Sequence, residues 1–106
     1  MTIQHFAIYA LDKPDAGPRR AATRERHRDY LRAPRSDGVE ALLGGPLVDD
    51  AGYMNGTLLV VRAPSRQAVE RFVADDPYSG ADLFERVDIR AWRWGLGRPA
   101  SEGEAH

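Results

Sequence analysis

Apolar positions recur with period two in some stretches of the chain and at helical spacing in others, and the order of these stretches predicts a fold. Residues 3–10 (IQHFAIYA) are rich in β-branched and aromatic side chains, as strands are. Phe6, Ile8 and Ala10 fall on one face; Ile3, His5, Ala7 and Tyr9 fall on the other. Both faces are mostly apolar, so both are expected to be covered, one by helices of the same chain and the other by a second copy of the sheet. Residues 11–18 (LDKPDAGP) read as a loop because of their prolines and glycine. Residues 19–33 then place Thr23, His27, Tyr30 and Leu31 on one helical stripe, and Pro34 ends the helix.

A turn at Ser36-Asp37-Gly38 leads into a second strand, 39–47 (VEALLGGPL). The Gly44-Gly45-Pro46 step interrupts it, as at a bulge or where a ligand meets backbone. Asn55-Gly56 is a hairpin signal, and the continuous apolar run after it is expected of a central strand. Ser65 is placed to cap a second helix, with Ala68, Val69, Phe72 and Val73 inward and Arg66, Gln67, Glu70 and Arg71 outward. Pro77 stops that helix at Asp75 or Asp76. Residues 84–94 alternate as a last strand, with Val87, Ile89 and Ala91 opposite Asp88, Arg90, Trp92 and Trp94. A domain over residues 1–95 is expected, followed by a flexible tail over 96–106 that is rich in glycine, proline and serine. The order β-α-β-β-α-β predicts an α+β, ferredoxin-like fold: a four-stranded antiparallel sheet with two helices on one face. The helix-free face would carry Tyr9, Trp92 and Trp94, so a homodimer is expected.

Composition narrows the function classes. The 106 residues suit one domain, and a net charge of −1 gives no overall attraction to nucleic acid or to an anionic membrane. Lys13 is the only lysine among 15 basic residues. Within residues 19–35, seven arginines against Glu25 and Asp29 leave a local charge of about +5, which suits a solvated face or a collar for an anion. These arginines cluster on one helix without a recognised nucleic-acid-binding module, so no nucleic-acid role is expected. The chain has no cysteine, which removes disulfides, thiol nucleophiles and cysteine metal sites and fits a cytoplasmic location. No apolar run approaches the ~20 residues of a membrane span, and the opening MTIQHFAIYALD does not read as a signal peptide.

The phosphate-loop, dinucleotide, nucleophile-elbow and zinc-helix motifs are missing, so neither cofactor nor metal is expected. What remains is His27 and the segment Asp75-Asp76-Pro77-Tyr78. His27 on an inner stripe is either a packing residue or a site residue. Asp76 is either part of a helix stop or a carboxylate aimed into a cleft. Taken together they make chemical sense, since a carboxylate beside an imidazole sets its tautomer and makes it a usable acid or base. His5 reads as a surface or dimer-face residue, and Asp12, Asp49 and Asp50 read as loop acids.

Over roughly residues 3–94 the chain resembles the YCII-related (YciI-like) family. The resemblance is carried by FAIYALDKPD, Arg24-x-x-His27, Gly45-Pro46, Gly56-Thr57, the apolar-rich second helix and Asp75-Asp76-Pro77-Tyr78 before a strand ending in aromatics. It implies a dimeric α+β barrel arrangement and a cleft centred on His27 and Asp76. Arg24, Gly45, Pro46 and Tyr78 would lie around a small, anionic or cyclic ligand. Some relatives are implied to be lyase-like or dehydrochlorinase-like enzymes on small cyclic or aromatic compounds. The first helix departs from the usual aliphatic pattern after the histidine (RDYLRAPRS), and the stretch from Gly38 to Gly45-Pro46 is one residue longer than usual. Two functions are expected from these residues. One is a lyase or isomerase in which His27 moves a proton, Asp76 orients it, and Arg24 or backbone near Gly45 holds an anionic group. The other is a non-catalytic small-ligand-binding or regulatory domain using the same cleft.

Overall fold

The computed structural model describes residues 3–102. Strand β1 (Gln4–Asp12) is followed by helix α1 (Gly17–Arg32), strands β2 (Glu40–Val48) and β3 (Met54–Ala63), and helix α2 (Arg66–Ala74). A single helical turn, α3 (Pro77–Gly80), precedes strand β4 (Phe84–Trp92). The sheet is antiparallel throughout, in the order β2-β3-β1-β4, which is the ferredoxin-like arrangement. Phe6 and Ile8 of β1, Leu59, Val61 and Ala63 of β3, and Ala68, Val69 and Phe72 of α2 form one buried cluster. Period-two burial in the strands meets the apolar stripe of α2 there, and Ser65 caps the helix by accepting a hydrogen bond from the Ala68 N–H.

Some local expectations are corrected. Helix α1 starts at Gly17, so Pro18 belongs to its first turn instead of to the loop. First-turn N–H groups have no intrahelical acceptor, so a proline there breaks nothing. Asn55-Gly56 is not the hairpin turn but lies inside β3. The chain reverses at 49–53 instead, where Asp49 Oδ1 accepts from the N–H groups of Ala51 (2.9 Å) and Tyr53 (3.0 Å) and Gly52 takes φ 89°. Strand β2 runs unbroken through Gly44-Gly45-Pro46, and its register shifts between Ala41 and Leu43. Because β2 is an edge strand, a residue without an N–H is tolerated at Pro46.

The segment after Trp94, expected to be flexible, crosses the helix-free face as far as Glu102. There Glu102 accepts from His5 Nε2 (2.7 Å) and Trp94 Nε1 (3.2 Å), with Arg62 beside it. Its side chain is almost fully covered. Tyr9 and Leu58 of the same face stay exposed. His106 lies outside the described residues.

Two outcomes follow. A Cβ on Gly56 would come within 2.6 Å of the Ala10 carbonyl oxygen and 2.8 Å of Leu47 Cδ1. Gly56→Ala is therefore expected to cost about 1–3 kcal/mol of stability, measured by urea unfolding. Glu102 is held below the ordinary carboxylate range, chiefly by its hydrogen bond from His5. A carboxyl more acidic folded than unfolded stabilises fully above about pH 4.3, and this contribution is lost as the pH falls through the lower folded value. Tryptophan fluorescence should thus shift in acid for the wild type and lose that step in Glu102→Gln; identical acid profiles would contradict the docking role.

Candidate functional site

The inner face of α1 is polar. Its buried residues are Arg20, Thr23 and His27, and each has a partner. Arg20 grips Asp12 with two hydrogen bonds, Nε to Oδ2 at 2.7 Å and Nη2 to Oδ1 at 3.0 Å, and both side chains are nearly inaccessible. Arg20 also donates to Thr57 Oγ1 (2.8 Å) and to the Tyr78 hydroxyl (3.3 Å). Asp12, expected to be a loop acid, is instead the end of β1 and the anchor of α1. Arg20 was legible in principle: it sits three residues before Thr23 and seven before His27, on the same helical stripe.

His27 and Asp76 meet. His27 Nδ1 lies 2.9 Å from both Asp76 oxygens, and both side chains are buried. Asp76 is held from a second direction, because it caps α3 and its Oδ1 accepts the Tyr78 N–H at 2.9 Å. Pro77 drives Asp76 into the extended backbone (φ −62°, ψ 134°) that this cap needs. The Tyr78 ring stacks on the His27 imidazole, 4.0 Å between centroids and 19° from parallel. Burial pushes the Tyr78 phenol up from its ordinary value, against the opposing pull of the Arg20 and Arg24 guanidiniums. The phenol is therefore neutral near pH 7.

No hydrogen bond is made by His27 Nε2 among the described residues, and no fully buried side-chain nitrogen or oxygen there lacks a partner. Nε2 is therefore open, and the space that His27 borders is a cavity of about 410 Å³ between α1 and β2. That volume is enough for a small organic molecule. Arg24, Gly45, Pro46 and Tyr78 line the same cavity, so the six site residues inferred from sequence come together. Gly44 forms part of its wall, where a Cβ would sit 2.5 Å from the Leu58 carbonyl oxygen. His5 lies on the opposite sheet face, packed edge-on against Trp92 and Trp94, and does not reach the cavity.

The YCII-related domain model matches residues 5–93. The chain is similar to Protein YciI of Escherichia coli O6:H1, 28% identical over 94 residues that cover 83% of this chain and 95% of that protein. An uncharacterized protein of Haemophilus influenzae is 26% identical over 95 residues, covering 84% of this chain and 96% of its own. Among solved structures, it is similar to 5-chloro-2-hydroxyhydroquinone dehydrochlorinase (TftG) from Burkholderia phenoliruptrix AC1100, in complex with 2,5-dihydroxybenzoquinone. The identity is 30%, the coverage 86% of this chain and 95% of that one, and the TM-score 0.74.

The buried Arg20–Asp12 pair has a measurable consequence. Breaking such a pair from one side strands the other charge, which costs about 3–5 kcal/mol. Asp12→Ala is expected to lose about that much in denaturant unfolding. Arg20→Lys should be damaging too, since an ammonium cannot make the two-pronged contact. Stability within 1 kcal/mol of wild type for both variants would contradict the anchor.

Proposed function

The chain belongs to the family of YCII-related domains, and on that premise we propose that it is a small-molecule lyase or isomerase of dehydrochlorinase-like chemistry, with His27 as the proton-transfer group. One observation carries this reading: His27 Nδ1 is bonded to Asp76 at 2.9 Å, its Nε2 makes no hydrogen bond among the described residues, and His27 borders a cavity of small-molecule size. The likeness to a structure named as a dehydrochlorinase supports the reaction class.

The ionised Asp76 accepts only, so Nδ1 carries the proton and Nε2 presents its lone pair to the cavity. In an elimination, Nε2 takes a proton from an acidic C–H or, in the keto tautomer of a chlorinated hydroxyquinol, from the ring hydroxyl conjugated with the C–Cl carbon. The released electron pair becomes the new π bond, of C=C or of C=O with the ring double bond shifted by one position, and the leaving group departs with its own bonding pair as an anion. Loss of hydrogen chloride then leaves the proton on His27 and chloride in solution, and the imidazolium returns its proton to water. In an isomerisation the same proton is given back at a different carbon. Asp76 stabilises the imidazolium, and the stacked Tyr78 ring keeps it from turning. Arg24 and the neutral Tyr78 hydroxyl stand beside the oxygen of an enolate or phenolate as its charge develops. The working unit in this reading is a homodimer in the cytoplasm. The exposed Tyr9 and Leu58 on the helix-free face support the dimer, and the cysteine-free composition supports the location.

The test uses 5-chloro-2-hydroxyhydroquinone under anaerobic conditions, with chloride release as the readout. His27→Ala should lower turnover about 10²-fold or more. Asp76→Asn should lower kcat more than it changes KM, because an amide can turn its NH2 toward Nδ1 and place the ring proton on Nε2. A His27→Ala protein as fast as wild type would end the proposal. Binding of 2,5-dihydroxybenzoquinone without turnover, and with no change across the imidazole range of pH, would favour a non-catalytic ligand-binding domain.

A further inference from the structure

Away from His27 the cavity is lined by a row of arginines. Arg20, Arg24, Arg28 and Arg32 recur at every fourth position of α1, and all of them border it. Residues four apart stack on one side of a helix, where like charges weaken the helix itself. The row therefore needs a reason outside the helix. Arg20 has one, since it is consumed by Asp12, Thr57 and Tyr78. The others do not. Arg28 has only Glu25, 3.5 Å away and exposed, and no ion pair involves Arg24 or Arg32 among the described residues. No aspartate or glutamate lines the cavity, and Asp76 is engaged by His27 and the Tyr78 N–H. Between the arginines and β2 the surface is apolar, formed by Leu31, Leu42, Leu43, Met54 and Leu59.

The cationic row has two ends. Arg24 is near enough to Tyr78 to pull its phenol down, so it belongs to the His27 end. Arg32 follows His27 by five residues, about 7.5 Å along the helix axis. We propose that the cavity is built for a dianionic ligand, a small cyclic or enolisable compound whose second acidic group is clamped by Arg28 and Arg32, one ring's length from the carbon presented to His27. This rests on the acid–base reading for which end of the ligand reacts, but not for the clamp itself. The apolar stretch would take the ring, and the two guanidiniums would take a carboxylate or a group of similar charge.

Calorimetric titration with terephthalate and benzoate, at low and at high salt, separates the two ends. The wild type should bind terephthalate at least tenfold more tightly than benzoate at low salt, and the preference should shrink as salt rises. Arg28→Gln with Arg32→Gln should abolish the preference while leaving benzoate binding nearly unchanged; Arg28→Lys with Arg32→Lys should keep most of it. Arg24→Gln should weaken both ligands. Absence of the preference in the wild type, its survival in the double glutamine variant, or an equal loss for both ligands would overturn the clamp. His27→Asn should retain the preference. A dianion preference in a protein whose turnover ignores His27 would thus refute the acid–base reading alone, and a His27-dependent enzyme with no such preference would refute the clamp alone.

Discussion

Over its first three turns helix α1 buries polar side chains instead of apolar ones, and that constraint shapes the rest of the molecule. A helix normally reaches a sheet through a stripe of aliphatic side chains. Here the positions facing inward are Arg20, Thr23 and His27. A buried guanidinium, hydroxyl and imidazole are tolerated only if each is paired, because an unpaired one costs several kcal/mol. Thr23 bonds the Arg19 carbonyl within α1, and the partners of Arg20 and His27 are built elsewhere: Asp12 at the end of β1, Thr57 in β3 and Asp76 at the start of α3. Tyr30 adds a further polar link by donating to the Phe72 carbonyl of α2 at 2.7 Å. Specific polar bonds attach the helix to β1, β3, α2 and α3, and these fix its rotation and height above the sheet.

Asp76 is where that attachment and the candidate chemistry coincide. As an N-cap it must accept a backbone N–H, and as the residue before Pro77 it must be extended. These local needs hold one carboxylate oxygen still, and His27 is bonded to that same group. The imidazole is thereby oriented by a carboxylate that has no freedom to follow it. Tyr78, two residues on, closes the arrangement by stacking on the ring while its hydroxyl meets Arg20. A single turn of helix thus links the structural pair to the candidate site.

Much of the fold could be read from sequence because strand alternation, the Ser65 cap and the Pro34 and Pro77 stops are local signals. Errors arose where a local signal was outweighed by a distant contact. Asn55-Gly56 looks like a turn, but Gly56 is there because Ala10 and Leu47 leave no room for a Cβ. Composition alone likewise says nothing of the bonds that Glu102 makes with His5, Arg62 and Trp94 across the sheet. The Arg20–Asp12 bond was invisible for the same reason: a salt bridge between an apparent loop acid and an apparent surface arginine has no periodicity. His27 and Asp76 were legible as a pair only through family resemblance, since nothing in spacing brings residues 49 apart into contact.

The two sides of the domain are consequently built differently. Under α2 the packing is apolar and close, with Val61, Ala63 and Val69 wholly excluded from solvent, and that cluster carries the stability. Under α1 and beside the edge strand β2, arginines, His27, glycines and Thr57 stand among leucines and Met54, and a cavity remains. A cavity costs stability, and so does a row of like charges on one helix. Both costs fall on the same helix, on the same side, next to His27, whose Nε2 makes no hydrogen bond among the described residues. Independent defects would be expected to scatter. Their convergence at His27 is the physical reason to propose this face as the working one, with the α2 cluster as the support that makes it affordable.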